Sequence, residues 1–214
     1  MTNKQGLIDR ENWQPFFSLL LFCGIGLLLT IPTARNVGQF GSIMFFPGVP
    51  IFIYSYALFM GILALNLAAT SAARDERGWQ AIRLQACRIL LAQCLVLPYF
   101  VFARMLYPGR EIALLLIILY MTIVALFLAT AGRLLEGLPP RSIPSGLLLK
   151  YAGFIVYYVV PFLGFPILSP LGAVAGIMSR ERSLVLLTVY TVPFFMLLLA
   201  VAGLRRQHGQ GNYG

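Results

Sequence analysis

Apolar residues run in long stretches along this chain, and the charged positions fall almost wholly between them. Six stretches predict six helices, at about 16–32, 49–71, 89–107, 112–132, 147–161 and 184–204. A helix rises about 1.5 Å per residue and a hydrocarbon layer is about 30 Å thick, so runs of this size are the lengths expected of membrane spans. One stretch does not fit a simple span. From Tyr151 to Ser179 there is no charge, but Pro161, Pro166 and Pro170 interrupt the run before Arg180-Glu181-Arg182 closes it. As one straight helix it would be roughly 43 Å long, too long for one crossing, whereas two crossings need roughly 40 residues. The expected solution is a helix ending near Pro161, followed over about 162–179 by a re-entrant segment that dips part-way into the bilayer and returns. Lipid offers no hydrogen bonds, so such a piece needs protein around its backbone. The fold class read from the pattern is therefore all-α: a polytopic membrane protein, one transmembrane domain over residues 1–214.

Composition agrees. The chain is 59% hydrophobic and only 11% charged, against roughly 25% charged in ordinary soluble domains. In 214 residues six spans leave no room for a separate aqueous domain of normal size. The net charge of +9 does not point to nucleic acid, because the arginines are spread along the chain at the ends of apolar runs. That distribution reads as membrane topology. With both termini cytoplasmic, 11 of the 16 basic residues fall on the inner side; if 162–179 crossed instead, the tail would lie outside and the count would again be 11, so charge does not choose between re-entry and crossing. The expected location is the cytoplasmic membrane of a bacterium.

Titratable groups are scarce where coupling chemistry would need them. All seven acidic residues lie outside or at the edges of the expected spans, and the single histidine, His208, lies in a glycine-rich tail. Ion-driven carriers commonly keep a carboxylate or histidine inside the membrane, so that class is disfavoured. No serine–histidine pair, paired acids or metal-ligand cluster emerges, and the expectation is no enzyme, no cofactor and no metal. Cys23, Cys87 and Cys94 are expected to be packing residues. Asn66, Gln93, Thr122, Thr130 and Thr188 are isolated polar positions within the apolar runs. Their ordinary reading is hydrogen bonding between helices, and their sharper one is a polar spot on a substrate path.

The densest charge cluster is Arg74-Asp75-Glu76-Arg77-Gly78-Trp79-Gln80-Ala81-Ile82-Arg83. On a helix continuing to Ile89, the residues Trp79, Ile82, Ala86 and Ile89 share a face within about 80°, and Arg77, Leu84 and Arg88 point away. This predicts a short amphipathic helix along the inner membrane surface. It serves either as a lipid-anchored loop or as a docking element formed by Asp75, Glu76, Arg77, Gly78, Trp79, Ile82 and Arg83.

In these features the sequence resembles the membrane subunit of an ABC type 2 exporter. Pro47-Gly48 stands at the entry to the second span, an apolar run covers 51–73, and Glu76-Arg77-Gly78 is similar to the family's acidic-Arg-x-Gly turn, with no residue here between Arg77 and Gly78. The start 7–13 is similar to the family's membrane-surface connecting helix, and 162–178 to its re-entrant helices. Where the family commonly has threonine after the glycine, this chain has Trp79. The resemblance implies a permease that works with a cytoplasmic ATP-binding subunit and a second copy or paralogue, embedded in membrane lipid. The chain has no G-x-x-x-x-G-K-S/T loop, so ATP hydrolysis would come from the separate subunit. Two other classes fit the same residues: a non-catalytic accessory or scaffolding subunit of an electron-transfer or light-harvesting complex, and a lipid carrier that works without ATP.

Overall fold

The structure is a computed structural model that describes residues 13–35, 51–72, 79–106, 110–136, 143–158, 169–179 and 191–202. Apart from Arg110 and Ser169, every described residue is helical. The helices are α1 (Trp13–Arg35), α2 (Ile51–Ala72), α3 (Trp79–Leu106), α4 (Glu111–Glu136), α5 (Ile143–Tyr158) and α6 (Pro170–Ser179), followed by α7 (Thr191–Ala202).

The central element is α2. It packs against α1, α3, α4 and α6, and Phe52, Ile53, Tyr56, Met60 and Leu63 along it are wholly enclosed. An apolar helix with no solvated face is stable only inside a bundle. Close approach of α1 depends on Gly26, where an added Cβ would lie 3.1 Å from the Cα of Phe52. Just along the same seam the rings of Phe22 and Phe59 stack with centroids 3.8 Å apart.

One expectation is overturned between α2 and α4. There is no short surface helix followed by a separate span, because α3 runs unbroken for 28 residues from Trp79. Nothing between Trp79 and Ile89 breaks a helix, and Ala, Leu, Gln and Arg are good helix formers. The face turned into the bundle carries Gln85, Arg88, Ile89, Ala92, Gln93 and Val96. Arg88 therefore points into the protein, not away from it. At the other end the Arg104 side chain meets Glu111 at 3.5 Å, an exposed pair that ties α3 to the first turn of α4. Glu111 at the start of α4 and Arg133 in its last turn both complement the helix dipole.

Outward faces are apolar as well. Leu28, Met105, Ile112, Leu115 and Leu199 are each about two-thirds exposed or more, and water-soluble monomers rarely show contiguous apolar surface on this scale. Two helices, Ile82–Leu106 and Glu111–Leu134, are long and apolar enough to cross a membrane; Trp13–Leu29, Ile51–Leu67 and Thr191–Ala202 are apolar but shorter. Cys87 and Cys94 lie on this outer surface and not in the packing expected of them, while Cys23 is buried.

After α5 the described chain resumes at Ser169. Pro161 and Pro166 lie outside the described residues. Pro170 does not interrupt a helix but opens α6, at the first helical position, where its missing N–H is harmless. Ser169 caps that helix: its hydroxyl accepts the Leu171 N–H at 3.2 Å and donates to the Tyr158 carbonyl at 2.5 Å. At ten residues α6 is about 15 Å long, half a hydrocarbon thickness. Ala173, Val174, Ala175, Ile177 and Met178 on it are buried. Ser169→Ala removes both the cap and the partner of a buried carbonyl. It is expected to cost about 1.5 kcal/mol, read as a fall of a few degrees in the melting midpoint of the detergent-solubilised chain.

Candidate functional site

Of the residues expected to dock a partner, Asp75, Glu76, Arg77 and Gly78 lie outside the described residues. Trp79 is the first residue of α3. Ile82 is half-buried and Arg83 exposed, so the described part of the cluster sits on the first two turns of that helix. A short distance along the same rod the character changes. Gln85 and Arg88 are enclosed by protein, and both have interaction partners.

One turn beyond Arg88, Gln93 joins three helices. Its carbonyl oxygen accepts the Tyr56 hydroxyl at 2.6 Å from α2, and its amide nitrogen donates to Thr122 Oγ1 at 3.0 Å on α4. The Thr122 hydroxyl passes its own proton to the Ile118 carbonyl at 2.8 Å. Every polar atom in this chain is matched, which fixes the axial register of α2, α3 and α4. Above the chain the rings of Phe52, Tyr56 and Phe100 pack edge to face, with centroids 4.8 Å apart between Tyr56 and Phe100 and 5.0 Å between Phe52 and Phe100.

On the α5 side the Tyr151 hydroxyl meets Asn66 Oδ1 at 3.1 Å, and the Tyr158 hydroxyl donates to the Ala57 carbonyl at 3.3 Å. Thr130 bonds back to Leu126 within α4. Hydrogen bonding is thus what Asn66, Gln93, Thr122 and Thr130 do; Thr188 lies outside the described residues. Lys150 is buried midway along α5. Arg88 and Lys150 are core cations that the linear charge pattern assigns to the membrane edge. The signal available for Arg88 was its 3.6-residue spacing from Gln85, Ala92 and Val96. No comparable periodicity marks Lys150.

Among the described residues no group of three or more His, Cys, Asp or Glu could hold a metal ion. What the described arrangement provides is a helix that begins at Trp79, just after a charged stretch of sequence, and is hydrogen-bonded part-way along to α2 and α4. Comparison of the chain with protein families, with curated proteins and with solved structures found no match.

Proposed function

We propose that this chain is a six-span helical membrane protein with a re-entrant segment before its last span, and that it is the membrane subunit of an ATP-driven exporter of the ABC type 2 kind. It sits in a cytoplasmic membrane with both termini inside, and works with a second copy or paralogue. A separate cytoplasmic ATP-binding subunit docks on Asp75, Glu76, Arg77, Gly78, Trp79, Ile82 and Arg83.

The observation that carries this reading is the continuity of α3. Trp79 directly follows Asp75–Gly78 in the sequence, and the helix it begins reaches the Tyr56–Gln93–Thr122 hydrogen bonds and ends about 40 Å from its start. A displacement at the turn is passed to α2 and α4, because hydrogen bonds in an apolar core resist sliding. ATP binding would press on the start of α3 and tilt the helices around α2, opening a path at the lipid-facing surface. The apolar exterior and the half-length α6, enclosed by other helices, support the membrane part of the reading.

Copurification tests it. Gentle extraction is expected to recover a cytoplasmic ATP-binding protein in fixed ratio, with Glu76→Gln and Gly78→Ala reducing its ATPase stimulation at least tenfold. Recovery with redox or pigment-bearing subunits instead, or unchanged stimulation in both variants, would replace the permease with an accessory subunit.

A further inference from the structure

From Trp79 to Gln93 α3 contains no helix-breaking residue, but just beyond Gln93 it contains Pro98. Proline has no N–H, so the Cys94 carbonyl one turn earlier loses its donor, and the ring crowds that carbonyl. A helix bends at such a point. Pro98 and Cys94 are both exposed, so the weak point opens on the outer face of α3. A second weak point lies in α4, where the Thr122 hydroxyl donates to the Ile118 carbonyl at 2.8 Å. A hydroxyl bonded back one turn competes with the helix ladder and bends the helix slightly.

The two points are neighbours. Gln93 meets Thr122 and Arg104 meets Glu111. Eleven residues forward along α3 therefore match eleven back along α4, the helices are antiparallel in one register, and 94–98 is level with about 117–121. Ties to α2 differ on the two sides of this level. Before it, the directional Tyr56–Gln93–Thr122 bonds hold all three helices. Beyond it, α3 rests on α2 through the Phe100 ring, set edge-on against Phe52 and Tyr56, an apolar contact without directional preference for one height. The far ends of α3 and α4 are held to each other instead, by the exposed Arg104–Glu111 pair and a connection of three residues between Leu106 and Arg110.

We propose that 95–106 and 110–121 form one hinged flap, turning on Cys94–Pro98 and Ile118–Thr122 above the Gln93 bonds. Turning outward draws Phe100 off the Phe52 and Tyr56 rings, which are wholly enclosed when the flap is closed. This device goes beyond the exporter reading and does not depend on it.

Pulsed electron paramagnetic resonance on the full chain in lipid vesicles tests it without any partner protein. Both α1 and α3 run opposite to α2, and Tyr99 lies beside Gly24, so spin labels on Leu28→Cys and Met105→Cys read the flap against α1. Labels on Phe17→Cys and the native Cys87 read the same two helices before the hinge. All four sites are exposed, and the remaining cysteines are changed to alanine. A turn of about 20° on an arm of about 15 Å moves the tip by about 5 Å. The outer pair is expected to show a distribution broader than the inner pair by about that much. Pro98→Ala, which restores the missing donor with a good helix former, should narrow it to the inner pair's width. Labels on Met105→Cys and Ile112→Cys, both within the flap, should stay narrow throughout. Equal widths for the outer and inner pairs, or an outer width unchanged by Pro98→Ala, overturn the hinge. A broad Met105–Ile112 distribution shows that the two helix ends move separately and overturns the single flap.

Discussion

Replacing Gly61 by leucine is expected to push α5 off α2 and lower the melting midpoint by roughly 10 °C, equivalent to about 3 kcal/mol. Even a methyl at Gly61 would come within 2.7 Å of Tyr158 Cζ and 2.8 Å of Phe154 Cε2. The Tyr158 ring has nowhere to go, because it is fully buried and its hydroxyl is held by the Ala57 carbonyl. Displacing it also disturbs α6, whose capping Ser169 hangs from the Tyr158 carbonyl. The matched control is Gly153→Leu on α5 itself, where a Cβ meets nothing within 4 Å. That change should leave the midpoint within a degree or two. Equal losses for the two variants would show that helix propensity, not the seam, sets the response.

The second large effect is expected at Gln93. Gln93→Leu keeps the volume but strips the acceptor from the enclosed Tyr56 hydroxyl, a loss of about 2–3 kcal/mol. Thr122 suffers less, since its hydroxyl still reaches Ile118. Adding Tyr56→Phe to Gln93→Leu removes the stranded donor, so the double variant should be more stable than Gln93→Leu alone. That reversal is diagnostic, and thermal midpoints of the four proteins measure it. If the double variant is worse than both singles, the Tyr56–Gln93 bond is not what holds the three helices in register. Under the exporter reading, Gln93→Leu should also weaken ATPase stimulation, because α3 would slide where it now grips.

Element type was easy to read from the chain. Runs of apolar residues between charged clusters announced helices, and each described helix overlaps one of the expected runs or the proline-broken segment. Helix ends were harder. The linear pattern changes from charged to apolar at Ile89, which separates an expected surface helix before it from an expected span after it, yet helical backbone crosses that boundary without a break. Proline misled in a similar way at position 170: the residue that stops a helix from its interior starts one from its first turn, and only the place of Ser169 as a cap distinguishes the two. The apolar surroundings of Cys87 and Cys94 point to packing, but both are exposed: composition along a helix does not tell inside from outside.

The candidate site divides along the same line. The charged cluster from Asp75 to Arg83 is visible in the sequence because charge density is a property of the chain itself. That Asn66, Gln93 and Thr122 would bond between helices was also foreseeable, since a lone amide or hydroxyl in an apolar run must find a partner. Their actual partners, Tyr151 for Asn66 and the joint Tyr56–Gln93–Thr122 bridge, depend on side chains 85, 37 and 29 residues apart meeting at one height. Arg88 shows the limit most clearly. An arginine at the edge of an apolar run looks solvated, because hydropathy averages over all faces of a helix, whereas burial depends on which face the neighbouring helices cover. The helical class and its apolar exterior thus follow from local composition; the central place of α2, the enclosed cations and the register of the lock follow from packing between segments far apart in the chain, where close contact, and not average hydropathy, selects one arrangement.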